Sequence, residues 1–371
     1  MNQMKEQFFE LLKSGLWGTP CNLALFDGQT DWETIYRQAV QQAVTGLVFD
    51  GMQTLPKDKR PPRMLYLKWC GALDRIEEAN RKLNMALGEI YAMYRSYGVE
   101  PVLLKGQGIA QCYRNPLRRQ CGDIDLYVGP AFYETANRIL RKERVTEMEE
   151  NYKHASFWWK GMEVENHRML VSFADPRSVL ALKCEVACME PLPYPTLPIG
   201  EALVSVLPSA FNAAYLLAHL LIHFLDAGIG LRHVCDWACQ LRSLSGPEER
   251  AEAARLLKAF GLEKTARLFG LILVEQLGLP PDCLPIPPRE SDRKGAERVF
   301  DAVWSGGNFG RHAPERRERP QGYWRGKWYT FTGSVGRCVR WGYIAPREAF
   351  FHPWLMIGYT FRLQWKRLLD R

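Results

Sequence analysis

Two aspartates, Asp123 and Asp125, stand either side of one isoleucine in the stretch CGDIDLYVGP at 121–130. The residues around them favour strand, and side chains alternate across a strand. Both carboxylates therefore share one face while Ile124, Leu126 and Val128 take the other. Like charges this close repel. The remedies are protonation of one, pairing with a cationic side chain, or ligation of a hard divalent ion by both. A solvated strand end capping a turn is the plain alternative. Further groups of the same kind decide between these. Downstream, MEVENHRML carries Glu165 and His167, again two residues apart and on one face, with Glu163 on that face too. Upstream, the apolar run VEPVLLKG ends in Lys105 and Gly106, a cation placed at a glycine turn.

The elements that must position these groups follow from periodicity. Asp31 precedes a helical pattern, and KDKRPPR marks a loop. Leu73, Ile76, Leu83, Leu87, Ile90 and Tyr94 recur at three, four and seven residues, which predicts a helix over 70–97 stopped by Gly98. A strand ending at Lys105 comes next, then a short helix in GIAQCY, a polar loop RNPLRRQCG and the aspartate strand. A helix in AFYETANRILRKE leads to two β-like runs, HASFWWK and MEVENHRML, divided by Gly161 as in a hairpin. From Leu207 the pattern is helical to the end, with Pro-rich breaks at 276–289 and 313–320. The expected class is α+β. A small mixed-sheet core over 70–206 lies between an N-terminal helical region, 1–69, and a C-terminal helical domain, 207–371.

This order of elements resembles the polymerase-β-like nucleotidyltransferase superfamily. A closer resemblance is to a bacterial family of uncharacterised nucleotidyltransferases. Its members read Leu-Lys-Gly, an Arg shortly before Asp-Ile-Asp-Leu, an acid-x-His strand, and a helical His…Arg…Asp segment. Here those are Lys105-Gly106, Arg119 ahead of Asp123 and Asp125, Glu165-x-His167, and HLLIHFLDAGIGLRHVCDWA with His223, Arg232 and Asp236. The resemblance covers most of the chain. It implies transfer of a nucleoside monophosphate from an NTP to an acceptor hydroxyl, with Mg²⁺ or Mn²⁺ held by Asp123, Asp125 and Glu165.

That chemistry suits these residue types. Divalent ions bridge phosphate oxygens and activate a hydroxyl, and Mg²⁺ takes oxygen ligands while keeping several waters. Glu165 would hold a second ion or take the nucleophile's proton. Gly106 and Gly108 would let backbone N–H groups approach the phosphates, and Lys105 and Arg119 would neutralise the leaving pyrophosphate. His167, His223, Arg232 and Asp236 are placed by the resemblance in the nucleotide cleft. Alternatives stay open for each. Lys105 could end its strand in solvent, and Arg119 could be the counter-ion of Asp123 or exchange roles with Arg118. Glu163 or Glu185, the latter on a possible following strand, could replace Glu165. His219 and His223 share a helical face, whose apolar neighbours argue for partial burial. One departure from the superfamily is visible: Lys-Gly stands where it has Gly-Ser.

Two other functions compete. Metal-dependent glycosyltransferases also use Asp-x-Asp, but place about a hundred residues of alternating β and α before it, where this chain is helical. A catalytically inactive core used to bind nucleotide or a partner protein is the second.

Bulk properties narrow the rest. The chain has 371 residues, 47% of them hydrophobic and 12% aromatic, which excludes general disorder. No uninterrupted apolar run reaches membrane-spanning length, and the N-terminus does not read as a signal peptide, so a cytoplasmic protein without stable membrane insertion is expected. Ten cysteines without Cys-x-x-Cys fit a reducing compartment and no disulfide partner. The net charge of +8 is concentrated from Arg311 onward, where thirteen Lys and Arg face four Asp and Glu. Trp324, Trp328, Tyr329, Trp341, Tyr343 and Trp354 lie among those charges, so an RNA acceptor is one expectation beside a protein or a small hydroxyl compound. Aromatics packed inward with solvated arginines are the plainer reading of this tail.

Overall fold

The computed structural model describes residues 3–143, 148–150, 153–190, 193–312 and 320–369. Three helices open the chain, α1 (Gln3–Trp17), α2 (Trp32–Gln41) and α3 (Thr45–Gln53), before the long α4 (Arg63–Ser96). Helix α4 starts seven residues earlier than its periodicity alone predicts. Pro62 forms its N-cap, and Leu65 and Trp69 extend the buried stripe toward it. The buried Trp69 indole donates to the carbonyl of Thr45 at 3.1 Å, which ties α4 to α3.

Among the described residues, seven strands then form one mixed sheet. They are β1 (Val102–Leu104), β2 (Asp123–Tyr127), β3 (Met148–Glu150), β4 (His154–Trp159), β5 (Met162–His167), β6 (Thr196–Ile199) and β7 (Ala202–Val206), in the order β3-β4-β5-β2-β1-β7-β6. Helix α5 (Gly106–Ala110) follows β1, α6 (Gly129–Lys142) follows β2 and α7 (Pro176–Met189) follows β5. Strand β2 runs antiparallel to β1 and parallel to β5, with Asp125 opposite Leu104 on one side and Glu165 on the other. The β4–β5 hairpin turns at Lys160 (φ +50°) and Gly161 (φ +82°). Two positive-φ residues in a two-residue loop match the twist of paired strands, and the turn sets His154 opposite His167.

Alternation along these strands gives the sheet two unlike faces. Leu103, Ile124, Leu126, Phe157 and Val164 pack with Leu83, Leu87 and Ile90 of α4 and Ala136, Ile139 and Leu140 of α6. The opposite face carries the carboxylates and is covered by α8 (Ser209–Asp226) and α9 (Leu231–Ser243). The α+β class expected from the sequence is the class observed.

The remaining helices are α10 (Pro247–Ala259), α11 (Glu263–Leu277), α12 (Arg293–Gly306), α13 (Tyr323–Trp341) and α14 (Pro346–Leu369). They share a hydrophobic core with the first helices: Phe8 meets Trp304 at 5.0 Å and Phe9 meets Phe300 at 5.2 Å between ring centres. In the basic tail, Trp341 is buried against Phe224 while Trp328 and Trp354 are exposed. The side chain of Trp324 lies outside the described residues. Glu185 sits on a helix, not a strand, and pairs with Arg255. The signal for that helix was Asp175-Pro176, whose carboxylate accepts from the Arg177 N–H as an N-cap. Among the described residues no helix is long and apolar enough to cross a membrane.

Candidate active site

The site begins where β1 stops. Lys105 adopts φ +49° and ψ −139°, a conformation that costs a non-glycine residue roughly 1–3 kcal/mol. Gly106 follows at φ +43° without that penalty. The compensation for Lys105 lies at its ammonium, 2.9 Å from Asp125 Oδ2 and 3.0 Å from His219 Nε2. Burial disfavours a charged lysine, but Asp125 and Asp123 outweigh it and keep the ammonium protonated. Burial, then the nearby Lys105, holds His219 neutral, well below the usual imidazole range. His223 lies 3.0 Å from the same His219 nitrogen, and burial followed by the Lys105 charge brings its pKa down to about 4.

Asp125 is almost wholly buried. Burial opposes its ionisation, yet Lys105 on one oxygen and His167 Nε2, 2.8 Å from the other, hold the carboxyl well below its ordinary range. His167 Nε2 also lies 3.1 Å from Glu165 Oε2, and bonds to these two carboxylates overcome burial and raise its pKa. The other Glu165 oxygen is 3.4 Å from His154 Nε2 and 3.4 Å from the Ser156 hydroxyl.

Asp123 differs from its neighbours. Among the described residues no hydrogen bond or ion pair reaches its carboxylate. The Asp125 charge first, then burial, pushes its pKa up, and Lys105 offsets this only in part.

A second cluster borders the first. Arg119 grips Asp236 with two bonds, Nε to Oδ1 at 2.9 Å and a terminal nitrogen to Oδ2 at 2.6 Å. The Tyr113 hydroxyl donates to the same Oδ1 at 2.6 Å. Arg118 turns away to Asp50 and Glu77. The counter-ion of Arg119 is therefore Asp236, and the alternatives in which it served Asp123 or exchanged roles with Arg118 are not what the fold builds. Arg232 donates one N–H to the Gln120 carbonyl at 3.1 Å, while its buried Nε has no hydrogen-bond partner.

These groups surround a cavity of about 240 Å³. Of the residues expected from the sequence, Lys105, Gly106, Arg119, Asp123, Asp125, Glu165, His167, His223, Arg232 and Asp236 line it. Gly108 does not: a side chain there would meet Leu103 and Val206, so it faces the sheet and not a phosphate. Glu163 pairs in register with Asp123 but does not line the cavity. Sequence reasoning passed over His154, Tyr215 and Phe309, which do. His154 had a signal. A two-residue Lys160-Gly161 turn in the hairpin puts positions 154 and 167 opposite one another. Tyr215 had none, because helical periodicity marks it only as core, and Phe309 had none, because it sits in a short turn with left-handed backbone (φ +55°) outside any periodic helix.

The arrangement concentrates carboxylate charge against one ammonium and leaves one aspartate unneutralised at a cavity floor. Such a floor has the charge and the donor atoms that suit a cation. The described carboxylates offer the oxygen donors that a hard divalent ion takes, and Asp123 has the uncompensated charge to attract one.

Residues 28–278 match the sequence profile of a family described as "Uncharacterised nucleotidyltransferase". No curated protein matches the chain. Among solved structures, an antigenic nucleotidyltransferase-like protein from Paracoccidioides brasiliensis aligns at 10% identity and a TM-score of 0.33. The alignment covers 56% of this chain and 95% of that one.

Proposed function

From the premise that the chain belongs to this family of uncharacterised nucleotidyltransferases, we propose that it moves a nucleoside monophosphate from an NTP to an acceptor hydroxyl in the cavity between the sheet and helices α8 and α9. The observation that carries this reading is the unpaired Asp123 beside the ionised Asp125, facing that cavity. Asp123, Asp125 and Glu165 are the residues that would hold Mg²⁺ or Mn²⁺. When bound, the ion supplies charge neutralisation at the phosphates and lowers the pKa of a coordinated hydroxyl.

Lys105 holds Asp125 ionised and orients it, so the carboxylate keeps its charge at the cavity floor despite burial. His167 bridges Asp125 and Glu165 and fixes their spacing. Glu165, with its second oxygen toward His154, is the base placed to accept a proton from the acceptor hydroxyl. The role of phosphate clamp moves from Arg119 to Arg232. Asp236 consumes the Arg119 guanidinium, whereas Arg232 keeps a buried, unpartnered N–H at the cavity. An arginine donor left unsatisfied in a site is the kind of group a phosphate oxygen pairs with. His219 and His223 are neutral and line the wall as polar, uncharged groups.

One observation favours a second reading. The Lys105 ammonium already occupies an oxygen of Asp125 that a metal would use. A core that binds nucleotide without turning it over would have this arrangement. Incubation of the purified chain with each radiolabelled NTP in Mg²⁺ or Mn²⁺, followed by measurement of pyrophosphate, tests both. Release that vanishes in Asp123→Ala and Asp125→Ala supports transfer. Release unchanged by either substitution overturns it. NTP affinity without release leaves the binding module.

A further inference from the structure

We propose that His154, Glu165 and His167 form a site for a borderline transition ion of the Zn²⁺ or Co²⁺ class, which shares Glu165 with the proposed Mg²⁺ position and differs from it by two imidazole donors. The donor atoms of these three residues all lie within 4.8 Å of one another. His154 Nε2 is 3.4 Å from one Glu165 oxygen, and His167 Nε2 is 3.1 Å from the other. Ligands about 2.0–2.1 Å from a tetrahedral ion lie roughly 3.3 Å apart. The spacings around Glu165 are therefore already those of a ligand shell.

The backbone explains why the three converge. Glu165 and His167 are two apart on β5 and share a face, and the hairpin register sets His154 of β4 directly against His167. Directly opposed residues have Cβ atoms about 4.5–5.5 Å apart, and the two rings stand 5.0 Å apart between centres. Three donors thus come from two rigid, hydrogen-bonded strands, with no loop to order. The Ser156 hydroxyl, 3.4 Å from Glu165 Oε1, is in place as an outer partner of that carboxylate, while His167 Nε2 gives up its 2.8 Å bond to Asp125 when it ligates the ion.

Donor chemistry selects the ion class. Two imidazoles and one carboxylate suit Zn²⁺, Co²⁺, Mn²⁺ or Fe²⁺ and leave positions open, whereas Mg²⁺ prefers oxygen donors alone. The cavity supplies the room for those open positions. This site stands whether or not the protein transfers nucleotides, because it is defined by ligands on one hairpin.

The test needs no substrate. The full-length chain, stripped with a chelator, is titrated with Co²⁺ while visible absorption is recorded, and with Zn²⁺ by calorimetry. One equivalent bound, with the intense d–d bands of a tetrahedral or five-coordinate site, is expected. Zn²⁺ should bind at least 100-fold tighter than Mg²⁺. His154→Ala should lose the bands and weaken Zn²⁺ binding by 10-fold or more, and His154→Gln should do the same with less disturbance of packing. Melting curves of both variants in chelator, matching the parent, show that folding is intact. Equal Co²⁺ spectra and Zn²⁺ affinities in the parent and both variants would overturn the proposal, as would a parent that binds Zn²⁺ no better than Mg²⁺. Neither outcome bears on pyrophosphate release, so this idea and nucleotidyl transfer fail separately.

Discussion

Around Asp236 every charge is answered. Arg119 meets both carboxylate oxygens, Tyr113 adds a third bond, and all three side chains are buried. Around Asp125 the same kinds of group are assembled differently: one ammonium and one imidazole face Asp125, Glu165 and the unpaired Asp123. Both clusters line one cavity, yet the first is closed and the second is left with surplus negative charge. A closed buried pair is a structural device whose members are costly to remove singly. An open one holds a charge the fold does not satisfy, at a cost to stability that a bound cation relieves.

The comparison breaks or sharpens by mutation. Asp236→Ala strands the Arg119 guanidinium in the interior and should cost about 3–5 kcal/mol in urea unfolding. The double change Arg119→Met with Asp236→Leu should recover most of that, since neither charge is then buried alone. Failure of the double variant to recover stability would mean that the cluster does more than cancel its own charge.

Asp123→Asn should act in the opposite sense. Pyrophosphate release should fall roughly 100-fold or more, because a ligand for the cation is lost. The urea midpoint should rise, because a like-charge repulsion with Asp125 is removed. A fall in both quantities would erase the distinction between the clusters. Tyr113→Phe should cost about 1 kcal/mol, the net value of one hydrogen bond when the Arg119–Asp236 pair survives. A cycle with Asp236→Asn measures that coupling.

The smallest effect is in the pH profile. Asp226 lines the same cavity and is bonded by His352 at 2.6 Å. Burial raises its pKa, but His352 outweighs burial and the net shift is downward. Its contribution to stability is therefore present above the unfolded aspartate value, about 3.9, and is lost as pH falls through the lower folded value. Asp226→Asn should flatten that acid limb of the melting-temperature profile.

The period-two spacing of Asp123 and Asp125, and of Glu165 and His167, was sufficient to place these groups on one face of a sheet, since alternation is a local property of any strand. The apolar stripe of α4 and the glycine turns at Gly98 and Gly161 were legible for the same reason: each depends on neighbours within a few residues. The partners were not. Arg119 meets Asp236 across 117 positions of chain and Lys105 meets His219 across 114. Nothing local distinguishes an arginine that will grip a carboxylate from one that will face a phosphate. Which charge is cancelled and which is left open depends on the docking of α8 and α9 over the sheet. Local spacing therefore decided what chemistry the residues could offer. The packing of distant helices decided which of them remain available to perform it, because a buried charge finds its partner through space and not along the chain.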